Sequence, residues 1–320
     1  MVKLVDIAQA ANVSKAAVSY AFSSDPAKRG KLSEATLARI LRTAEELDYS
    51  PSWTARAFAR QKSYNIALLM PEYSASNMSM HYLRIFHGVS SAIGDSDYNL
   101  SVFFGCDKKF MTNMQQGRLD GVLVIARRDD SEFFQTMAQW ELPMVFLNRT
   151  APACCKKAGS CSSDYDKWLT EVLQKYLLCK IKKCTLYYRE ARESDQIICR
   201  IFKKMCQEYD MEYSLVKRED FVAAESGSGL IFCGASPKII ASIADRSDIA
   251  YTMLVSPEIN KSSGLDEKNL YYHDSKNIGV YGVQMLLDML EKHSTAQQRL
   301  LPLLQVDKVE FPSIKDGIEF

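Results

Sequence analysis

Short apolar runs alternate with amphipathic helical segments along most of this chain, and this alternation restricts the fold more than any other feature. The run NIALLMP, at 65–71, is bounded by polar turns and is typical of a strand buried on both faces. The predicted strands are 65–71, 100–104, 121–126, 143–148, 184–188, 229–234 and 251–255, and the predicted helices are 81–93, 131–141, 165–178, 195–209, 237–244 and 274–290. Such alternation predicts parallel sheets with helices on both faces.

The alternation begins again after Ser163, which indicates two α/β halves with a cleft between them. We therefore expect a multidomain chain with an all-α head at residues 1–50, a linking helix at 51–63 and a body at 64–320. The body is expected to contain two Rossmann-like parallel-sheet subdomains. One comprises roughly 64–150 with 275–302, and the other comprises 151–273 with 303–320.

The positive charge of the chain is concentrated at its amino terminus. Residues 1–63 contain ten Lys and Arg against six Asp and Glu, although the whole chain carries a net charge of only +1. The rest of the chain is therefore mildly acidic. A basic head on an acidic body favours an anionic partner for the head, and nucleic acid is the usual one, although a solvated basic face can have the same composition.

The first fifty residues predict two short helices separated by a tight turn. The first helix is expected at 6–11, and Asn12 then stands where the turn needs a left-handed residue. Ser14 is the expected N-cap of the second helix, 15–22, and a third helix is expected at 33–48. Two short helices joined in this way form a helix-turn-helix, although a small three-helix bundle without a function of its own would show the same pattern.

The segments VDIAQAANVSKAAVSYAF and LSEATLARILRTAEELDYSPSWTARAFARQKS resemble the DNA-binding head and hinge of the LacI/GalR family of bacterial transcription repressors. The resemblance covers about the first 63 residues and includes the order and spacing of every element. It implies that 51–63 is a hinge helix, which in that family becomes ordered when two protomers pair over the minor groove of an operator. The stretches LDGVLVIA, LPMVFLNR and DSKNIGVYGVQMLLDML resemble the periplasmic-binding-protein type of core that the same family uses.

Within the second helix, the resemblance places Lys15, Ala16 and Tyr20 opposite base edges. A lysine can donate to guanine O6 and N7, and an alanine can contact a thymine methyl group. Tyr20 stands where the family usually has Arg, so the operator sequence does not transfer. Ser14 and Ser19 are expected to contact phosphates or to cap the helix, which positions the helix without specifying sequence.

In the hinge, Phe58 occupies the place of the Leu that wedges into the central base step in family members. Phenylalanine is also a known wedge residue, although burial of Phe58 against the body is an alternative. Ala55 would allow a close approach to the groove floor, and Arg56 and Arg60 would meet phosphates, which makes binding dependent on salt.

The body departs from the family pattern where sugar hydroxyls are usually held. Ile198 stands in the place of an Arg, and Ala235 with Ser236 stands in the place of an Asn-Asp pair. A site that lacks such groups loses most of its affinity for a sugar, so either the effector is not a typical monosaccharide or the cleft binds nothing. The residues that remain as effector candidates, each of which could instead cap a helix or lie in a surface loop, are Glu72, Tyr73, Asn77, Asn148, Arg149, Asp164 and Asp274.

Other kinds of site receive little support from the sequence. No apolar run reaches the roughly 18 to 20 residues of a membrane span and the amino terminus lacks the core of a signal peptide, so we expect a cytoplasmic protein whose nine cysteines are reduced thiols. Cys154, Cys155 and Cys161 fit no Cys-x2-Cys spacing and bring no His, which disfavours a metal site. His81 and His87 lie on one predicted helix, where packed or surface imidazoles are commoner than catalytic ones. No cofactor motif and no catalytic residue set is present, so an enzyme is not expected.

These features together predict a homodimeric, sequence-specific transcriptional regulator that represses carbohydrate-use genes from a near-palindromic DNA operator and responds to a small-molecule effector in its cleft. Two alternatives stay open at this point. One is a regulator whose altered cleft binds no effector, and the other is a small-molecule-binding or enzymatic protein with a vestigial head.

Overall fold

The computed structural model describes most of the chain in twelve stretches. The described residues are 2–23, 25–49, 62–71, 80–105, 107–125, 131–140, 142–190, 192–223, 225–244, 246–255, 264–292 and 294–305, without the side chains of Ser131 and Glu193. The chain divides into two compact units, Met1–Ser63 and Tyr64–Phe320. Most of the predicted hinge, with Ala55, Arg56, Phe58 and Arg60, lies outside the described residues, as do Glu72, Tyr73 and Asn77.

The described part of the head contains four helices around a small apolar core. Their bounds are α1 Leu4–Ala10, α2 Lys15–Ala21, α3 Pro26–Arg29 and α4 Glu34–Glu46. Ile7, Val18 and Ile40 have no solvent exposure and join α1, α2 and α4. Asn12 has a φ of 48°, which confirms the left-handed turn between α1 and α2. The sequence did not predict α3, a single turn that begins with a proline.

The body contains two six-stranded sheets. Their strands are β1 Asn65–Met70, β2 Asn99–Phe104, β3 Gly121–Val124, β4 Met144–Leu147, β5 Gly159–Ser163, β6 Lys183–Tyr188, β7 Glu212–Lys217, β8 Gly229–Cys233, β9 Ala250–Leu254, β10 Leu270–Tyr272, β11 Gln298–Leu301 and β12 Leu304–Gln305. The first sheet has the order β11-β5-β4-β3-β1-β2 and the second has the order β12-β10-β9-β8-β6-β7. All pairs are parallel except β10 with β12, which confirms the predicted parallel α/β architecture.

Seven helices in the described part of the body cover the two sheets. They are α5 Met80–Gly94, α6 Lys108–Gln115, α7 Ser131–Ala138, α8 Tyr165–Leu178, α9 Glu193–Glu208, α10 Pro237–Ile243 and α11 Ser275–Glu291, and short 3₁₀ turns lie at Arg218–Asp220 and Glu267–Asn269. None of the helices in these described stretches is long and apolar enough to cross a membrane. The sequence predicted all of these α-helices except α6.

The chain passes between the two sheets three times, near Asp164, His273 and Pro302. The predicted subdomain boundary after residue 150 is wrong in one respect, because β5 at Gly159–Ser163 belongs to the first sheet and the chain leaves that sheet only at Asp164. The crossovers are tied to each other. The backbone N–H of Asp164 donates to the carbonyl of Leu301 over 2.7 Å, and Ser163 is hydrogen-bonded to His273.

Two helices of the first subdomain, α5 and α11, approach so closely that glycine is required at the contact. A Cβ atom on Gly88 would lie 2.0 Å from the backbone oxygen of Lys276, and a Cβ atom on Gly279 would lie 2.3 Å from the backbone oxygen of Ile85. Because neither oxygen can move without its helix, these glycines fix the distance between α5 and α11. This contact also fixes the position of His81, near the start of α5, relative to Ser275, the first residue of α11.

Candidate functional site

The second helix of the head presents one apolar face to the core and one polar face to solvent. Ser14 caps α2, because its hydroxyl oxygen accepts the backbone N–H of Ala17 over 3.1 Å, as the sequence predicted. Val18 and Ala21 are buried. The exposed face carries the predicted DNA-contacting residues Ser14, Lys15, Ala16 and Ser19, together with the half-buried Tyr20.

A basic cluster that the sequence analysis did not single out lies next to this face. Lys28 and Arg29 end α3, and Lys31 follows them; all three side chains are exposed. The Nζ atom of Lys31 lies 5.5 Å from the ring centroid of Tyr20, a cation–π distance. The exposed face of α2 therefore carries the predicted DNA-contacting side chains on the helix and positive charge beside them, which is the arrangement that phosphate contacts and base contacts together require.

In the body, polar side chains gather where strands of the two sheets end near the crossovers. Asn148 follows β4, Ser163 ends β5, Arg189 follows β6 and His273 follows β10. In parallel α/β sheets, ligands bind outside the carboxyl ends of the strands, so these four positions mark the candidate ligand site. His81, from the first helix of the body, joins them.

Two histidines form the centre of this site. The Nδ1 atom of His81 is hydrogen-bonded to Ser275 Oγ over 2.7 Å, and the Nδ1 atom of His273 is hydrogen-bonded to Ser163 Oγ over 2.7 Å. The centroids of the two imidazole rings are 4.7 Å apart. The ring of Tyr165 meets His273 edge-on at 5.9 Å. We call His81 and His273 the imidazole pair.

Both members of the imidazole pair are held in the neutral form at physiological pH. Burial, and then the electrostatic interaction with His273 and the positive charge of Arg192, lower the pKa of His81 well below its ordinary value. Burial, followed by the positive charges of Arg189 and Arg192, lowers the pKa of His273 to about 3. The amide of Asn148 lies close enough to His81 to favour the protonated ring, but this effect is smaller than those of burial and of the neighbouring charges.

Several buried polar atoms around the imidazole pair lack a hydrogen-bond partner within the described part of the chain. They are Tyr165 Oη, and also His81 Nε2 and Asn148 Oδ1, which interact with each other without reaching hydrogen-bond geometry. Asn148 also has a φ of 63°, a left-handed conformation that β4 and its following loop impose. An unpaired buried polar atom costs about 1–3 kcal/mol, so a ligand that hydrogen-bonds to these atoms would recover that free energy.

A buried ion pair holds the end of β6 beside the imidazole pair. Arg189 donates to Asp195 through Nε over 2.8 Å and through Nη2 over 2.9 Å, and its backbone N–H donates to the same carboxylate over 2.9 Å. Asp195 has no solvent exposure. This bidentate geometry fixes the guanidinium in one orientation, and it keeps a full positive charge near two neutral imidazoles.

The effector candidates that the structure describes do not all converge. Asn148 and Arg149 line a cavity of about 90 Å³ together with Ser163, Tyr165 and Ile201. Arg149 is 6% exposed, and its guanidinium carbon lies 5.3 Å from the ring centroid of Phe134. In contrast, the two carboxylates of the candidate set bond to their own helices.

Those two carboxylates lie at crossovers, and each hydrogen-bonds to a residue of the helix that follows it. Asp164 caps α8 by accepting the backbone N–H of Lys167 over 3.0 Å, and Asp274 accepts from the side-chain amide of Asn277 over 2.9 Å. Ile198, where the family usually has Arg, is completely buried in the core of the second subdomain. The sequence therefore identified one side of the cavity but not the imidazole pair or the Arg189–Asp195 pair.

The described cysteines show no metal site. All eight are free thiols, and no group of three potential metal ligands occurs in the stretches that the structure describes. Cys154 and Cys155 are adjacent in the chain, with their Sγ atoms 3.9 Å apart.

Known proteins resemble both units of the chain. The family model described as "Bacterial regulatory proteins, lacI family" matches residues 3–52. The "Probable HTH-type transcriptional repressor ExuR" of Bacillus subtilis (strain 168) is 26% identical over 94% of this chain and 95% of its own length. The "HTH-type transcriptional regulator PtxS" of Pseudomonas plecoglossicida is 32% identical over 46% of this chain and 43% of its own length.

Among solved structures, the Lac repressor dimer bound to operator and the anti-inducer ONPF has a TM-score of 0.66 at 16% identity, covering 94% of this chain and 96% of that one. A complex of the regulator CelR with cellobiose has a TM-score of 0.58 at 15% identity, covering 95% of this chain and 98% of that one. An exposed helix-turn-helix joined to a body of two parallel sheets defines a DNA-binding transcriptional regulator. The head of the chain, at residues 3–52, matches the lacI family of bacterial regulatory proteins, and the whole chain is similar to a repressor of the helix-turn-helix type.

Proposed function

We propose that this regulator is a cytoplasmic homodimer that represses carbohydrate-use genes. Binding of a small molecule in the body would lower or raise its affinity for the operator. The observation that carries the proposal is the exposed face of α2, where a buried apolar side anchors the helix and Lys15, Ala16 and Ser19 face solvent. A helix anchored in this way can enter the major groove without unfolding the head.

On DNA, two heads would occupy successive major grooves of a near-palindrome. Lys15, Ala16 and Tyr20 would read base edges, and Ser14 and Ser19 would contact phosphates. In the hinge, Phe58 would wedge into the central base step, Ala55 would allow close approach, and Arg56 and Arg60 would pair with phosphates. The exposed Lys28, Arg29 and Lys31 support the proposal, since they would add phosphate contacts beside α2.

Exposed apolar side chains on the body support the homodimer. Met80 and Leu83 are exposed on α5, and Val102 and Phe104 are exposed on the neighbouring β2. The strand β2 is an edge of the first sheet, and β7, which exposes Leu215, is an edge of the second. Exposed apolar side chains and sheet edges are typical of interaction surfaces, and a second copy of the chain would cover both.

The effector would bind where the strand ends of the two subdomains meet. Asn148 and Arg149 line the cavity there. Glu72, Tyr73 and Asn77, which follow β1 in the sequence, are proposed as further effector contacts. A regulator without an effector is a second candidate, favoured by the use of the Asp164 and Asp274 carboxylates within their own helices. Binding of a ligand at about 100 times its dissociation constant would stabilise the body by roughly 2.7 kcal/mol, whereas an effector-independent regulator would show no such shift.

The DNA-binding proposal is tested by selecting a preferred site from random duplexes with the full-length protein and then measuring variants on it. We expect Lys15→Ala to weaken the selected site by about 1–3 kcal/mol and to relax its sequence preference. Lys109→Ala is the matched control, because it removes the same charge from an exposed position on α6 of the body. Equal effects of the two substitutions would contradict the assigned role of α2.

The hinge assignment has its own test. We expect Phe58→Ala to weaken binding to the selected site much more than binding to random DNA, because only a specific complex is expected to be kinked by the wedge. Loss of affinity by the same factor on both kinds of DNA would exclude the wedge role of Phe58.

A further inference from the structure

Two thiols lie side by side in the loop that joins β4 to β5. Cys154 is exposed, whereas Cys155 is 3% exposed. Their Sγ atoms are 3.9 Å apart, which is a non-bonded contact, because a disulfide bond is about 2.0 Å long. A solvent-facing thiol in contact with a second thiol is the arrangement of a redox-sensitive cysteine with its resolving partner. We call Cys154 and Cys155 the thiol pair.

Two consecutive turns hold the thiol pair in place. The backbone N–H of Cys155 donates to the carbonyl of Pro152 over 2.9 Å, and the backbone N–H of Ala158 donates to the carbonyl of Cys155 over 2.9 Å. The Cys155 thiol donates to the carbonyl of Phe134 in α7, with 3.6 Å between the sulfur and the oxygen. One sulfur of the pair therefore anchors the loop to α7, and the other faces solvent.

The thiol pair is also connected to a residue that lines the candidate effector cavity. Cys155 packs in one buried cluster with Phe134 and Phe146, and the guanidinium carbon of Arg149 lies 5.3 Å and 5.9 Å from the centroids of those two rings. Burial, and then the interaction with Cys154, raise the pKa of Cys155 to about 12, although the positive charge of Arg149 acts in the opposite direction. Cys155 is therefore protonated at neutral pH, and Cys154 is the thiol that can meet an oxidant in solvent.

We propose that Cys154 and Cys155 form a reversible disulfide when the protein meets a hydroperoxide, and that this bond loosens the packing of Arg149. Neither DNA nor an effector takes part in the bond, so the inference goes beyond the proposed function.

The reaction consumes two thiols and one hydroperoxide. The thiolate of Cys154 attacks one peroxide oxygen, the O–O bond breaks, and Cys154 becomes a sulfenic acid while the other oxygen takes up the proton that the thiol released. The sulfur of Cys155 then attacks the sulfur of Cys154, the S–O bond breaks, and the departing hydroxide leaves as water with the proton of Cys155. Two electrons pass from the two sulfurs to the peroxide, which becomes an alcohol or, for hydrogen peroxide, water.

A disulfide between adjacent residues is strained and easily reduced. Consecutive Cα atoms are about 3.8 Å apart, whereas the Cα atoms of disulfide-bonded cysteines are usually about 4.4–6.8 Å apart. Such strain makes the bond more reducible, and strained or exposed disulfides are typically regulatory and not structural. Because the bond closes no intervening loop, it also lacks the entropic stabilisation that longer loops give to a disulfide. The thiol pair therefore fits a reversible modification site.

Formation of the bond has to move Cys155. The two sulfurs must approach from 3.9 Å to about 2.0 Å, and Cys155 loses the proton that it donates to Phe134. A shift of Cys155 leaves space beside the Phe134 ring, on which Arg149 packs. Arg149 is 6% exposed before oxidation, so an increase in its exposure would report the loosening.

The test is peptide mapping of the full-length protein before and after treatment with hydrogen peroxide. Trypsin cleaves after Arg149 and Lys156, so peptide 150–156, TAPACCK, contains both thiols of the pair and no other cysteine. The reduced protein is treated with peroxide, and the remaining thiols are then alkylated. We expect this peptide to lose both alkylation sites together and to be two hydrogens lighter than the free dithiol. An excess of about tenfold of reduced over oxidised glutathione should restore both sites.

Cys179 is the internal control, because it is also exposed and peptide 176–180, YLLCK, contains it as its only thiol. We expect it to stay largely alkylated while about half or more of the thiol pair is oxidised. Four outcomes would overturn the inference: an unreacted pair, a Cys154 sulfinic acid beside an alkylated Cys155, a disulfide from either thiol to another peptide, or oxidation of Cys179 at the same rate. Persistence of the disulfide in the glutathione buffer would refute its reversibility.

Brief tryptic cleavage of the folded protein measures the loosening of Arg149. We expect cleavage after Arg149 to be at least about threefold faster in the oxidised protein than in the reduced one, because cleavage tracks how often a protected site opens. Cys154→Ser should abolish the increase, and Cys179→Ser, the matched control, should retain it. Equal rates in the oxidised and reduced forms of the natural protein would refute the link to Arg149.

The disulfide and the proposed function can fail separately. A protein that selects no DNA site but oxidises as described loses the proposed function and keeps this inference. A protein that binds a selected operator but whose thiol pair resists peroxide loses only this inference.

Discussion

The closest helix contact in the body provides a quantitative test of the packing. Replacing Gly88 by Ala on α5 would place a Cβ atom 2.0 Å from the backbone oxygen of Lys276 and 2.9 Å from its carbonyl carbon. A Cβ atom essentially never approaches another atom closer than 3.0 Å, so α5 and α11 would have to separate by roughly 1 Å or more. The clash cannot be relieved by a side-chain rotation, because the opposing atoms belong to the backbone.

The expected loss of stability follows from that separation. Overpacking usually costs about 1–3 kcal/mol and occasionally more, and a gap of 0.5–1 Å forfeits about a quarter to a half of each dispersion contact along the interface. The higher helix propensity of Ala offsets about 1 kcal/mol. We therefore expect Gly88→Ala to lower the free energy of unfolding by about 3 kcal/mol. At about 2–4 °C per kcal/mol for a domain of this size, Tm should fall by about 6–12 °C.

Thermal and urea unfolding, followed by circular dichroism, measure this difference. Gly94→Ala is the matched control, because Gly94 ends the same helix and a Cβ atom there would meet nothing within 4 Å. Gly282→Ala should fall between the two, since its Cβ atom would meet the end of the Leu147 side chain, which can rotate. A Gly88→Ala protein within about 1 kcal/mol of the natural one would refute the reasoning, as would an equal loss in Gly94→Ala.

Four further outcomes are expected. Ser14→Ala should lower the free energy of unfolding of the head by about 1 kcal/mol, because the N-cap of α2 is lost. An unchanged unfolding transition of the head would contradict the capping role of Ser14. Tyr176→Phe should lower the free energy of unfolding, measured with denaturant, by about 1–3 kcal/mol, because it leaves a buried backbone carbonyl and a threonine hydroxyl without their hydrogen-bond partner. An unchanged free energy of unfolding would show that the two hydrogen bonds do not stabilise the fold. The protein should lose stability as pH falls from about 6.5 toward 3, because His273 has its ordinary pKa in the unfolded chain and a pKa of about 3 in the folded protein. In measurements of Tm against pH, His273→Asn should remove part of this loss. Alkylation at mildly alkaline pH, mapped by mass spectrometry, should modify exposed thiols first, and early modification of the buried ones would contradict the structure. Among the cysteines that the structure describes, the exposed thiols are Cys154 and Cys179, and the buried ones are Cys155, Cys161, Cys184, Cys199, Cys206 and Cys233.

Most helices of the head could be predicted from the sequence, because each of them is specified by residues that are adjacent in the chain. Ser14 precedes a run with helical spacing and indeed caps α2, and Asn12 adopts the left-handed conformation that the turn needs. Ser33 likewise caps α4. The helix α3 was missed because four residues carry no periodicity, and only the Asp-Pro pair at 25–26 could have indicated it.

Five strands of the body, β5, β7, β10, β11 and β12, were missed, and β5 and β7 show two different reasons. The strand β5, GSCSS, contains no apolar run, yet every residue in it is buried. Space is short at Gly159, since a Cβ atom there would lie 2.4 Å from the Sδ atom of Met285 and 3.2 Å from the backbone oxygen of Gln297. The strand β7, EYSLVK, is a sheet edge in which no residue is fully buried, whereas the continuous apolar runs that the sequence analysis followed are typical of central strands.

The imidazole pair could not be predicted from the sequence. His81 and Ser275 are hydrogen-bonded across 194 positions of the chain, and Ser163 and His273 across 110. Each histidine by itself looks like a packed or surface residue, and only the close approach of α5 and α11 and the crossovers bring them together. Asn148 and Arg149 were predictable because they follow a strand, and strand ends in parallel sheets are where ligands bind.

The threefold crossing of the chain between the sheets has a consequence for synthesis of the protein on the ribosome. The first sheet is incomplete until β11, at Gln298–Leu301, has been made, and α11 arrives only shortly before it. The head, in contrast, has all its described helices within the first 46 residues. At translation rates of about 5–20 residues per second, a nascent head can fold on the order of ten seconds or more before the body is complete. A message that is cut short before that point would therefore release a folded DNA-binding head without a finished body, and such a fragment could occupy only half of a palindromic site.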